Sequence, residues 1–146
     1  MNTKTTILLA SDHAGFQLKN VLMQHLESKG IETVDLGADS DEASDYPDFG
    51  HKIGKLISEG RYEKGISVCG TGNGINMTAN KYRGVRGALC WNEKIAELAG
   101  SHNDANLCAL PARFISSEQA IKIVDAFLNS RFDGGRHKRR IEKIDI

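Results

Sequence analysis

Gly65-Ile66-Ser67-Val68-Cys69-Gly70-Thr71-Gly72-Asn73-Gly74 is a short apolar run that breaks into alternating glycines. Gly65 to Cys69 reads as a buried strand. Gly70 to Gly74 reads as a sharp turn, and a helix from about Ile75 to Lys81 is predicted to follow. Glycine permits turn angles that other residues resist and lets backbone approach a ligand closely. The free N–H groups of such a turn, with the helix N-terminus behind them, make a place for negative charge. An alternative is that these glycines only build a tight turn. The segment has no P-loop lysine and is not a GxGxxG after the first strand, so dinucleotide binding fits poorly.

The same alternation extends outward from that stretch. Thr6 to Ala10 is an apolar strand, broken by Ser11-Asp12-His13-Ala14-Gly15. Phe16, Leu18, Val21, Leu22, His25 and Leu26 recur at helical spacing up to Ser28, with Gly30 as the stop. Ile31 to Leu36 returns to strand character. The acidic stretch Gly37 to Pro47 reads as an exposed loop of the kind that carries function. Pro47 suits the first turn of a helix ending near Ser58. Val85 to Cys90 is a fourth strand, Glu93 to Ala99 a helix stopped by Gly100, and Ala105 to Ala109 a fifth strand. A final helix is capped by Ser116 or Ser117, with Ile121, Val124, Phe127 and Leu128 on one face.

Strand and helix alternate five times. That predicts an α/β fold: a Rossmann-like three-layer sandwich around a five-stranded, mostly parallel sheet. The 146 residues suit a single domain, 1–146, and neither repeat nor linker interrupts them. Its last segment, 131–146, is a basic arm whose isoleucines suggest docking. Ligands of such folds bind beyond the carboxyl ends of the strands. This singles out Asp12, His13, the loop after Leu36, the turn from Cys69 to Gly74, and Trp91. Ser101 to Asp104 precedes a strand, so it must reach a site by a long connection or from a neighbouring subunit.

Lysine and arginine total 19, as do aspartate and glutamate, giving zero formal charge. Nothing in that balance favours a nucleic acid or an acidic membrane as partner. The basic tail is a small electrostatic footprint, although Arg136 and Arg140 would share a helix face and suit phosphate. Three cysteines without a CxxC argue against a secreted disulfide scaffold. No signal segment or membrane span is legible, so a cytoplasmic protein is expected. Cys90 and Cys108 read as core residues. Cys69, at a strand tip beside N–H donors that favour a thiolate, reads as a base or nucleophile as well as a core residue. His25 and His51 read as structural. The scattered histidines predict no metal, although Asp12, His13 and His102 could converge in space.

Six segments follow one another along the chain: SDHAG at 11–15, DYPDF at 45–49, CGTGNG at 69–74, ANK at 79–81, HNDAN at 102–106 and GGRHKRR at 134–140. Together they resemble the type B ribose-5-phosphate isomerase family, which includes galactose-6-phosphate and allose-6-phosphate isomerases. The resemblance implies aldose–ketose isomerisation of a phosphorylated sugar through a cis-enediolate, without a cofactor, with ribose 5-phosphate the leading substrate. Six-carbon phosphates are the close alternative, and a non-catalytic sugar-phosphate-binding protein is a further one. It implies a homodimer, or a dimer of dimers, with the site shared across the interface and the basic arm docked there.

By the same resemblance Cys69 is the base that moves the proton between C1 and C2, assisted by Thr71. Some members use a glutamate further along; this chain keeps Cys69 and has Asn76 near that position. Gly70, Gly72, Asn73 and Gly74 hold the enediolate oxygens. His102 helps open the sugar ring, Asp12 shuttles protons between hydroxyls, and Asn103 binds the reacting oxygens. His13, Arg113, Arg136 and Arg140 contact phosphate, with His137 nearby and Tyr46 beside the sugar. Trp91 reads either as a substrate wall or as an interface aromatic.

Overall fold

The computed structural model describes residues 5–146. Strands β1 (Ile7–Ser11), β2 (Thr33–Asp35), β3 (Lys64–Cys69), β4 (Gly87–Leu89) and β5 (Leu107–Pro111) form one sheet in the order β2-β1-β3-β5-β4. Every neighbouring pair is parallel. β1, β3 and β5 are buried along almost their whole length, as strands covered on both faces must be. That explains why they read as continuous apolar runs with no alternation.

Helices α1 (Phe16–Ser28), α4 (Glu93–Asn103) and α5 (Ser117–Asn129) cover one face, and α2 (Tyr46–Ser58) and α3 (Asn73–Ala79) the other. The first face packs Leu22, Leu26, Ile123, Val124 and Phe127 onto Leu9, Ile66 and Val68. The second packs Ile53, Ile57 and Ala79 onto Leu8, Ala10 and Leu107. Each large side chain so buried contributes about 1.5–3 kcal/mol relative to exposure. A short α6 (Arg136–Ile141) ends the chain. Among the described residues no helix is long and apolar enough to cross a membrane.

Several predicted boundaries move, each for a tertiary reason. β1 gains Ser11 because Ser11 pairs with Val68 of β3. β5 begins at Leu107, opposite Gly65; Ala105 instead donates its N–H to Ala99 O and closes the end of α4. β4 shrinks to three residues, so Cys90 lies just past its end, still buried. α3 starts at Asn73, because Gly72 adopts a left-handed conformation (φ +76°) and caps it.

Gly100 does not stop α4. The helix runs on to Asn103, and Gly100 is the contact point where Ser130 presses against it: a Cβ there would meet Ser130 Cβ at 2.7 Å. His102 therefore sits in the last helical turn. Asp104 ends the helix with a positive φ of 46°.

Candidate active site

The strand order changes direction between β1 and β3: β1 is followed by β2 on one side, while β3 lies on the other. The crevice beyond the carboxyl ends of the strands at such a point is where α/β folds bind ligands. Here it is rimmed by Asp12 and His13 after β1, by Cys69 to Gly74 after β3, and by Arg113 after β5.

Gly15 allows the β1 turn to press onto β3, since a Cβ at that position would lie 2.5 Å from Val68 O. The turn is held by Asp12 N–H on Val68 O at 3.3 Å and by Gly15 N–H on Asp12 Oδ1 at 3.2 Å. Asp12 is thereby buried at the strand tip. His13 Nδ1 accepts from Ser44 N–H at 3.1 Å, and His13 N–H donates to Ser44 Oγ at 3.0 Å. With Nδ1 accepting, a neutral His13 carries its proton on Nε2.

Cys69 is buried, and its sulfur accepts the N–H of Gly72 at 3.1 Å. The turn that returns to this sulfur needs the left-handed Gly72. Thr71 is exposed; its Oγ1 accepts from Asn73 N–H at 3.2 Å, so its observed contact is within the turn. Gly74 is covered by the ring of Tyr46, the first residue of α2, which is itself partly exposed to the crevice. Arg113 N–H donates to Gly70 O at 3.0 Å, and its guanidinium folds back so that Nη1 lies 3.0 Å from where a Cβ on Gly70 would be. A cation is thus laid directly over the glycine turn. The Trp91 ring lies 5.8 Å from that of Phe114, the residue after Arg113, tilted by 37°, and both rings are exposed.

Asn76 does not turn toward Cys69. Its Nδ2 donates to Gly87 O at 3.2 Å, at the start of β4.

The remaining predicted residues do not join this crevice within the chain. His102 and Asn103 end α4, just before β5 begins, at the level of Gly65 rather than Cys69. The arm follows α5 to that same end, where Asp133 N–H bonds Ser101 O at 2.9 Å. There the His102 and His137 rings stack at 4.3 Å, and His102 Nε2 lies 4.0 Å from Asp133 Oδ2. Arg136 and Arg140 share α6 with His137. Partial desolvation, then the positive charge of His102 and Arg136, holds His137 below the usual 6.5. A cavity of about 600 Å³ opens nearby, lined among others by Lys81, Arg83, Arg86, Asn103 and Ile146. At the chain's end Arg83 Nη1 donates to Ile146 O at 3.0 Å and Gly84 N–H to Asp145 Oδ2 at 3.2 Å.

Among the described residues the cluster with metal-ligand composition is His102, Asp133 and His137, with ligand atoms within 4.8 Å of one another. It is not the Asp12–His13–His102 set that the sequence left open. The two rings are stacked and nearly parallel, 13° apart, so an ion in the plane of one imidazole lies out of the plane of the other.

Cys90 and Cys108 are core residues as expected; the hydrogen bond with Cys90, then burial, pushes the Cys108 thiol up. Sequence reasoning missed Ser44, Asp133 and Lys19. For Ser44 and Asp133 no local signal existed. Lys19 carried one, since it falls on the apolar stripe of α1 with Leu18, Leu22 and Leu26.

A family profile described as Ribose/Galactose Isomerase matches residues 7–144. A probable ribose-5-phosphate isomerase B of Mycoplasma pneumoniae is 42% identical over 145 residues, covering 99% of this chain and 95% of that protein. The ribose-5-phosphate isomerase B of Escherichia coli is 40% identical over 138 residues, covering 94% and 93%. The crystal structure of a ribose 5-phosphate isomerase from Thermotoga maritima superposes with a TM-score of 0.95 at 50% identity, over 98% of this chain and 99% of that one. That of the Mycoplasma genitalium enzyme with bound ribulose-5-phosphate gives 0.94 at 44% identity, over 98% and 95%. A match that runs nearly end to end, in sequence and in fold, takes in both the glycine turn and the basic arm: this chain belongs to the ribose/galactose isomerase family.

Proposed function

We propose that this protein interconverts a phosphorylated aldose and its ketose, with ribose 5-phosphate and ribulose 5-phosphate as the preferred pair. The observation that carries the reading is the placement of Cys69: a thiol at the topological switch point, with the Gly72 N–H on its sulfur and Arg113 laid over the adjoining turn. In the open-chain aldose the carbonyl acidifies the C2 proton. Cys69, as thiolate, takes that proton and forms a cis-enediolate. Returning it to C1 gives the ketose and regenerates the thiolate. Asp12 moves a proton between the two oxygens, and the N–H groups of Gly70 to Gly74 bear their developing charge. One base must reach both carbons, which favours a single side chain on a fixed turn.

His102, Asn103, Arg136, His137 and Arg140 complete the site from a second copy of the chain. The support is geometric: within one protomer they lie at the opposite end of the sheet from Cys69. In this reading His102 opens the sugar ring, Asn103 binds the reacting oxygens, and the arm's arginines join His13 and Arg113 on the phosphate. Tyr46 lies against the sugar.

The test is turnover of ribose 5-phosphate by the purified protein and by Cys69→Ala, with allose 6-phosphate and galactose 6-phosphate run in parallel. Loss of ribose 5-phosphate turnover by about 10²–10⁴-fold in the variant supports the mechanism. Preference for a six-carbon phosphate keeps the chemistry and changes the substrate. Absence of turnover with all three, in folded protein, overturns the reading.

A further inference from the structure

Lys19 is a charged side chain in the core. It lies on α1 and is fully buried. A buried ammonium is costly unless paired and fully hydrogen-bonded, so its partners matter. They are Asp35 Oδ1 at 2.5 Å and Ala38 O at 2.7 Å, with the Phe16 ring 5.5 Å away. Asp35 Oδ1 also accepts Gly37 N–H at 2.9 Å. The ammonium and its carboxylate therefore grip the first residues of the acidic loop between β2 and α2.

That loop is where three site elements meet. Gly37 and Ala38 clamp Ser11: Ser11 N–H donates to Gly37 O and Ala38 N–H to Ser11 O, both at 2.7 Å. Ser11 immediately precedes Asp12 and His13. At the loop's far end Ser44 holds both the backbone and the Nδ1 of His13. Two residues further on, Tyr46 begins α2 and lies over Gly74. In contrast, the hydrogen bonds of the Cys69 turn come from the turn itself and from Ala112 and Arg113 after β5, and Asp12 is tied to β3 by its own N–H on Val68 O.

We propose that Lys19 is a positioning residue for substrate binding: its buried ammonium anchors the acidic loop so that Ser44 fixes His13 with Nε2–H directed at the substrate phosphate. The inference rests on the sugar-phosphate reading of the site. Lys19 touches no substrate and acts through Ala38, the loop and Ser44. Its loss is expected to weaken binding of the phosphate while sparing proton transfer at Cys69.

The test compares the parent with Lys19→Met, and with Lys19→Met combined with Asp35→Asn, which leaves no unpaired charge in case the single variant does not fold. Expected is a rise of about tenfold in KM with kcat within about twofold, and a matching rise in the inhibition constant of inorganic phosphate. A purely structural role would lower the folded fraction, and so the maximal rate, with KM unchanged. The ¹⁵N spectrum of His13 is recorded in parallel. The parent is expected to show the Nε2-protonated tautomer, and the variants a mixture. Unchanged KM together with an unchanged His13 spectrum in folded variants overturns the proposal. Should the parent turn over no sugar phosphate, the functional reading fails alone, and the His13 spectrum still decides whether Lys19 positions that ring.

Discussion

The ring of Tyr46 occupies the space that a side chain on Gly74 would need: a Cβ there would lie 2.5 Å from Tyr46 Cε1 and 2.6 Å from Cζ. The first turn of α2 and the first turn of α3 are thus fitted to each other across the rim of the crevice. Gly74→Ala forces the tyrosine ring out of place, and among the described residues no hydrogen bond holds that ring. The variant is expected to keep its fold and lose sugar-phosphate binding, read as a raised KM with a melting temperature close to that of the parent.

Gly72→Ala is expected to be harsher. The residue has φ +76°, and an added Cβ would lie 3.0 Å from the backbone carbon of Leu110, which cannot give way as a side chain can. Strain of this kind costs about 1–3 kcal/mol. Because Gly72 N–H is the donor to Cys69, denaturant unfolding should show the lost stability and steady-state kinetics a lower kcat together.

Asp125 ties α5 to α1 through His25 Nε2 at 2.8 Å and Lys29 Nζ at 3.1 Å. Burial acts to raise its carboxyl, but the hydrogen bonds and positive charge of His25 and Lys29 outweigh it and hold the group below its usual 3.8. A depressed carboxyl stabilises the fold above its unfolded pKa, and that contribution fades as pH falls through the folded value. Asp125→Asn should cost about 0.5–1 kcal/mol at neutral pH, since the pair is partly exposed. Urea unfolding of the two proteins should show the difference shrinking toward zero in acid below 3.8.

His137 is expected to titrate below 6.5 in an NMR pH series, because desolvation and the neighbouring His102 and Arg136 charges disfavour its imidazolium. Arg136→Gln should move the midpoint upward by removing one of those charges. A phosphate dianion bound between the arm's cations should also move it upward, since negative charge favours the imidazolium. No movement on adding sugar phosphate would separate this ring from the phosphate site.

Gly100→Ala tests why α4 extends as far as His102. The added Cβ would fall 2.7 Å from Ser130 Cβ, so α4 and α5 must part or Ser130 must surrender its 2.8 Å bond to Phe127 O. Overpacking of this sort costs about 1–3 kcal/mol. The expected result is a lower melting temperature, with the His102–His137 stacking disturbed in the NMR spectrum.

The sheet was legible because its three central strands are buried on both faces. β1, β3 and β5 appear in the sequence as apolar runs ended by polar breaks, and α1 carries its stripe up to Gly30. The motifs at 11–15 and 69–74 were legible for the same reason: strand tips at a switch point need small or polar residues where the chain turns. Gly100 misled because a glycine near the end of a periodic run has two physical uses, helix termination and close helix contact. Only the packing partner, Ser130, separates them.

By itself the sequence determined that strand and helix alternate, that Cys69 stands at a strand tip on a glycine turn, and that basic and histidine residues gather in the tail. Those follow from local periodicity and from glycine's conformational range, which act over a few residues. Tertiary structure alone decided which candidates share a crevice. It joined Asp12, His13, Tyr46, Cys69 and Arg113 at one end of the sheet and set His102, Asn103 and the arm at the other. It also brought Ser44 to His13 across 31 positions of chain and Lys19 to the loop between them. Contacts of that range depend on how parallel strands order themselves in the sheet, and no local pattern encodes that order.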